Sequence, residues 1–185
     1  MRKTTRTTTT LAGVLGGALL LVGGQTVAGA TATEPDVREG GVSACTAEDV
    51  EVELNPQPER PADYLLALTN VSDKTCEFSG ALGLAGQNMA GEPIDQVPND
   101  SVDHPGAPAP ITLAPDHTAF AGVQVDLGDK GDPDTYVAAG FTASLPEFDG
   151  EVQARIVGAE DEPVQIPLTG LRVGTLQPVT DGVLF

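Results

Sequence analysis

The apolar residues of this chain come as short alternating runs, each ended by proline, glycine or a polar turn, and this pattern leaves room for little except short β-strands. Val50, Val52 and Leu54 alternate with Glu51 and Glu53. Ala119, Ala121, Val123, Val125 and Leu127 do the same with polar or small partners, and Val152, Ala154 and Ile156 alternate with Glu151, Gln153 and Arg155. A period of two is that of a half-buried strand. No useful length of chain carries the helical period, and the 15 prolines and 22 glycines oppose long helices. Further runs at Tyr64–Thr69, Cys76–Phe78, Leu82–Leu84, Thr135–Ala143, Val164–Leu168 and Leu171–Leu176 bring the expected total to seven to nine short strands. Asn55-Pro56-Gln57-Pro58 is expected to break the first strand, and Pro167 marks its own as an edge. Turns are expected at Asn70–Lys74, Gly128–Asp134 and Glu160-Asp161-Glu162. The resulting fold class is all-β, an antiparallel β-sandwich.

The first residues have a different character. Arg2, Lys3 and Arg6 precede the apolar stretch Leu11–Val22, and small residues follow at Ala28-Gly29-Ala30 and Ala30-Thr31-Ala32. A basic start, a short apolar run and an A-x-A site make a secretory signal peptide. The run falls short of the ~20 residues that span a bilayer. The expected organisation is a signal peptide over 1–32, a flexible acidic linker over 33–43 and a single β-domain over 44–185. About 150 residues after the leader suit one domain. Aromatic residues are only 4% and Trp is absent, so the core must be built from Val, Leu, Ile and Ala.

Charge excludes one class of function. The whole chain carries −18, and loss of the leader removes three basic residues and no acidic one, leaving six basic against 27 acidic. Such a chain stays soluble, favours the monomer and repels nucleic acid and anionic membrane. The partner expected is an extracellular or cell-envelope protein or glycan. No membrane span is expected after signal cleavage.

Two cysteines, Cys45 and Cys76, lie in a chain read as exported. Oxidising compartments favour their pairing, and there is no Cys-x-x-Cys to suggest redox or metal chemistry. Val42-Ser43-Ala44-Cys45 also has the local look of a lipid-attachment site, but Glu34, Asp36, Arg38 and Glu39 separate it from the apolar run. Both readings of Cys45 stand at this point, the structural disulfide ahead of the lipidated thiol.

The segment Glu92–Pro115 carries six prolines and is expected to stay outside any sheet as a long loop. Loops of that length are usually functional or mobile. It holds or borders Asp103, His104, Asp116 and His117, the candidate binding residues, whose His and carboxylate groups are also zinc-ligand types. Asp126, Asp129, Asp132 and Asp134 surround a Gly-containing turn and offer the oxygen donors calcium prefers, although their spacing is not that of an EF-hand. Ordinary turn formation explains the same residues. No Gly-x-Ser-x-Gly is present, no catalytic residue is assigned and no cofactor is expected. Asn70-Val71-Ser72 and Asn99-Asp100-Ser101 fit the glycosylation pattern by chance, and Asn70 reads better as a turn residue.

Several segments together resemble a known family. They are Ala44-Cys45-Thr46-Ala47 with Val50 and Val52, then Leu66, Leu68, Thr69 and Asn70, then Ser72, Cys76, Phe78, Ser79 and Gly80. Ile111-Thr112-Leu113-Ala114-Pro115 followed by Thr118-Ala119 looks like a strand-opening segment of that family, and Ile166–Pro178 like its last two strands. Over 45–178 the chain resembles an actinobacterial secreted family with an immunoglobulin-like sandwich, domain of unknown function 4232. The resemblance implies the fold, export and a Cys45–Cys76 bridge. It implies no activity and brings no catalytic residues. Members often have a second cysteine pair in the C-terminal half, and this chain has none there. The functional expectation is a non-enzymatic extracellular or cell-wall binding domain. A calcium-stabilised adhesion module and a carboxylate-dependent hydrolase are the alternatives.

Overall fold

Alternation along the chain becomes inside and outside in the structure. The computed structural model describes residues 42–159 and 164–185. The leader, the linker up to residue 41 and the Glu160-Asp161-Glu162 turn lie outside the described residues. Twelve strands are found among the described residues, with one 3-10 turn at Ala47–Asp49 and no α-helix. They are β1 (Ser43–Ala44), β2 (Val50–Gln57), β3 (Arg60–Asn70), β4 (Cys76–Phe78), β5 (Gly83–Gln87), β6 (Asn99–Ser101), β7 (Ile111–Leu113), β8 (Thr118–Leu127), β9 (Tyr136–Ala138), β10 (Gly140–Ser144), β11 (Val152–Ile156) and β12 (Ile166–Val173).

The all-β sandwich expectation is met, with an architecture between sandwich and barrel. A large sheet runs β5-β10-β11-β2-β3-β8-β12-β6, with β9 pairing β12, and a small sheet runs β1-β4-β7. Pairing is mixed rather than purely antiparallel. β1 with β4, β11 with β2 and β12 with β6 are parallel. The two ends of the large sheet, β5 and β6, meet through side chains. Asn99 Nδ2 donates to Leu84 O, and Ser101 Oγ donates to Leu82 O at 3.0 Å. These bonds cover carbonyls that an open edge would present to another chain. They also engage the Asn99 amide of the second glycosylation-like triplet.

The core sits between the wrapped large sheet and the small one. Val52, Leu54, Leu66, Leu68, Val123, Val125, Phe141, Leu168 and Leu171 come from the large sheet, and Phe78, Ile111 and Leu113 from the small one. Phe78 and Phe141, each 1% exposed, are the bulkiest fully buried side chains, so aliphatic packing supplies most of the interior. Asp63, buried in β3, has its carboxylate held by Arg60 at 2.6 Å and by Gln124 Nε2 at 3.1 Å. Such pairing is what a buried charge requires.

Four details correct the strand assignments. β2 does not break at Pro56 but continues to Gln57, with Pro56 opposite Tyr64 and a register shift just after it. The parallel neighbour β11 ends opposite Leu54, so one side of Pro56 has no ladder to donate to. The Pro-rich segment Glu92–Pro115 does enter the sheets, through β6 and β7. Both are three-residue edge strands, β6 on the large sheet and β7 on the small one, with their prolines outside the paired residues. Thr135–Ala143 splits at Ala139. β9 joins β12, whereas β10 joins β5 and β11. Val164–Leu168 and Leu171–Leu176, read as two strands, form one strand over Ile166–Val173, bent by a register shift between Leu168 and Gly170, and despite Pro167 it is no edge, having β8 on one side and β9 and β6 on the other.

Asn70 closes the hairpin-like turn before β4 with its whole side chain. Its Nδ2 donates to Lys74 O (2.7 Å) and Leu113 O (3.0 Å), and its Oδ1 accepts from Ser72 N (3.0 Å) and Ser72 Oγ (2.8 Å). Those four bonds use the full capacity of an amide side chain. The turn reading of Asn70 is therefore the structural one, and its buried amide is committed to the fold.

The disulfide is present. Cys45 and Cys76 are bonded, both buried, and separated by 31 residues. The bridge joins β4 to the residue after β1, and Cys45 N–H also donates to Glu77 O at 3.1 Å. The two-residue strand β1 is thus held by a covalent link that its ladder alone could not replace.

Candidate functional site

The residues singled out for chemistry are dispersed. His104 follows β6 and is tied to the C-terminal segment. Its Nε2 lies 3.1 Å from Leu184 O, and its ring stacks on Phe185 with centroids 4.6 Å apart. A carbonyl only accepts, so Nε2 carries the proton in that bond. The His104 carbonyl in turn accepts from Thr175 N at 2.8 Å and Thr175 Oγ1 at 3.1 Å. His117 stands instead at the start of β8, exposed, its carbonyl accepting from Asn70 N at 3.0 Å. The His104 carbonyl lies beside Gly174, which pairs with Gly122, and Gly122 is five residues from His117 along β8. That is roughly 17 Å of extended chain. Asp103 and Asp116 are both exposed. Asp116 sits at φ 62° with its N–H donating to Asn70 O, a left-handed turn position that Asp tolerates better than most residues. The four residues therefore belong to two separate places.

The Asp-rich turn is likewise built from its own hydrogen bonds. Asp126 pairs with Arg172 at 3.1 Å on the surface. Asp132 N donates to Asp129 O, Asp134 N to Asp132 Oδ1, and Thr135 N to Asp132 O. Among the described residues no three His, Cys, Asp or Glu side chains converge as a group that could hold a metal ion.

A different place has the shape of a site. Where β1, β4 and the end of the Pro-rich segment meet, Val42, Ala44, Glu77, Phe78, Ser79, Pro110 and Glu147 line a groove of about 360 Å³. Local structure explains each wall. The disulfide and the β1–β4 ladder set Ala44 beside Glu77. Alternation in β4 turns Phe78 inward and Glu77 outward. Glu147 arrives on the turn before β11, where Phe148 N donates to Leu145 O. Its Oε1 accepts the Ser79 N–H at 2.8 Å, whereas its Oε2 is buried without a hydrogen-bond partner. Glu77 Oε2 accepts from Thr112 Oγ1 at 3.3 Å. In the 3-10 turn that follows Cys45, Asp49 Oδ2 accepts from Thr46 Oγ1 and Thr46 N, and these bonds hold its carboxyl below the usual range.

Reading the sequence did not find Glu77 and Glu147. They are far apart in the chain, neither lies in a motif, and only the tertiary fold makes them neighbours. Two carboxylates, a hydroxyl and an apolar lining, with no basic residue among the described residues of the wall, can hold a cationic or hydrogen-bond-donating group.

A comparison with protein families matches residues 45–177 to the family described as Domain of unknown function (DUF4232). No curated protein and no solved structure matches the chain. Among the described residues no helix is long and apolar enough to cross a membrane.

Proposed function

This chain belongs to the DUF4232 domain-of-unknown-function family, and on that premise we propose that it is a secreted, non-catalytic interaction domain that binds an extracellular or cell-envelope partner. The observation that carries this reading is the groove at β1, β4 and Pro110, a side-chain-sized recess on a frame held by a buried disulfide. Rigid presentation of a recess lowers the ordering cost of binding. A disulfide is at home in the oxidising space outside the cell. The Pro-rich segment contributes to the same surface through its C-terminal end. Pro110 lines the groove, while the preceding Ala107, Pro108 and Ala109 are exposed beside it. The binding surface thus narrows from the whole of 92–117 to its junction with the small sheet.

The test is retention of the purified protein on isolated cell envelopes and on immobilised culture-supernatant proteins. Ala44→Trp fills the groove from an exposed position in β1. Retention is expected to be saturable for the wild type and to fall to background for Ala44→Trp at an unchanged melting temperature. Equal retention of the two proteins would move the surface elsewhere, and turnover in a broad substrate screen would replace the reading with an enzymatic one.

A further inference from the structure

The C-terminal segment lies on the outer face of the large sheet, and we propose that residues 178–185 are a detachable strap that fills, from within the same chain, a groove for a short apolar peptide segment of a partner protein. This surface is separate from the groove at β1 and β4 and does not depend on it. β8 supplies the floor. A Cβ on Gly122 would stand 2.0 Å from Val183 O and 3.3 Å from Leu184 Cα, so the strap runs directly on the sheet backbone. A glycine inside a strand marks a close approach of this kind. Alternation along β8 sets Phe120 on the same outward face, and pairing with β3 adds Leu65. One wall is the His104 ring, stacked on Phe185 with its Nε2 3.1 Å from Leu184 O. That wall does not need the strap, because the His104 carbonyl is held by Thr175 N at 2.8 Å and Thr175 Oγ1 at 3.1 Å. A recess fixed in advance lowers the ordering cost of an incoming peptide.

Three observations set the strap apart from the sheet it covers. Val183 is completely buried, yet it does not belong to the main core. Residues 178–182, which lead to it, are all exposed, and Gly182 turns the chain at φ 74°. Gln177 ends the paired chain with two hydrogen bonds to Phe120, and beyond it no ladder bond joins the segment to β8 among the described residues. One hydrogen bond and one ring stack, both to His104, accompany the burial of Val183. A segment with so few ties opens at far lower cost than the sheet beneath it. The family match also stops at Gln177, so the strap follows the part of the chain that the match covers. The strap itself defines what the groove accepts: a valine that becomes fully buried, followed by an apolar and an aromatic residue.

The test is an NMR titration of the full chain with a peptide of the sequence of residues 178–185, blocked at both ends. Val183→Asp places a charge in an apolar recess and is expected to release the strap while circular dichroism shows the large sheet still folded. This variant should bind the peptide saturably, with shifts at the Gly122 amide and the His104 ring that return toward their wild-type positions. A peptide with Asp at the position of Val183 should give none. A tethered strap competes at an effective concentration on the order of millimolar, so the wild type is expected to bind the peptide at least about tenfold more weakly than Val183→Asp. Phe185→Ala removes only the ring stack and keeps the main core, and its affinity is expected to fall between the two. Equal affinity of wild type and Phe185→Ala would overturn the proposal even where Val183→Asp fails to fold. No binding by a folded Val183→Asp, or shifts away from Gly122 and His104, would overturn it as well.

Discussion

Cys45→Ser is expected to remove about 3–4 kcal/mol of stability, the loop-closure value for a bridge that spans 31 residues. For a domain of this size that is a fall of about 10 °C in melting temperature. The loss should be uneven. β1 has two residues and is held by two-residue pairing with β4 and by the bridge. The large sheet has its own ladders and most of the core. Hydrogen exchange should therefore accelerate first at Cys76–Phe78 and at Ser79, while β2, β3 and β8 stay protected below the new melting point. Thiol titration of the native protein is expected to find no free thiol. Two titratable thiols, or a melting point unchanged by the substitution, would show that the bridge does not hold the small sheet.

Gly122→Ala is the second large effect expected. Gly122 lies in β8 opposite Leu65, between Ala121 and Val123, which face the core. Its own outward face is covered by the C-terminal segment. A Cβ placed there would stand 2.0 Å from Val183 O and 3.0 Å from Val183 C. Backbone cannot yield as a flexible side chain can, so the segment must lift. Val183 is completely buried, and beyond it Leu184 and Phe185 hold the His104 ring. The expected loss is about 2–3 kcal/mol, typical of overpacking, with the tail freed and the His104 stacking lost. Limited proteolysis should then cut after Leu176 at protease levels that leave the wild type whole. Wild-type resistance would mean the tail passes Gly122 with room to spare.

How much could be read in advance follows from what sets each element. β2 and β11 were legible because one face of each is wet, so Val50, Val52 and Leu54 had to alternate with Glu51 and Glu53, and β8 because its core-facing Ala119, Ala121, Val123 and Val125 keep a strict period of two. The bridge was legible because two cysteines without a Cys-x-x-Cys, in a chain whose first residues read as a signal peptide, have few other uses. β6 was not. Asn99-Asp100-Ser101 is polar and exposed throughout, and it is a strand only because Leu171–Val173 lies alongside it. Pro56 and Pro167 misled for a related reason, since a proline breaks a strand only where its missing N–H would have been used, and that depends on neighbours distant in the chain. The split at Ala139 is a change of partner, which no local pattern records. The site was least legible. Asp103, His104, Asp116 and His117 drew notice as chemically capable residues in one loop, yet the fold gives His104 to the C-terminal segment and His117 to Asn70. Glu77 and Glu147 drew none, because a carboxylate in a short strand and another in a Leu-Pro-Glu-Phe turn become a pair only when the small sheet is clipped against the large one.

That clipped sheet is the proposed binding surface. The most direct measurement compares retention on cell envelopes for the oxidised protein and for protein with Cys45–Cys76 reduced, at a temperature where circular dichroism shows the large sheet still folded. Loss of retention on reduction, together with loss of protection at the Ser79 amide, is the predicted result. Undiminished retention by the reduced, folded protein would contradict it.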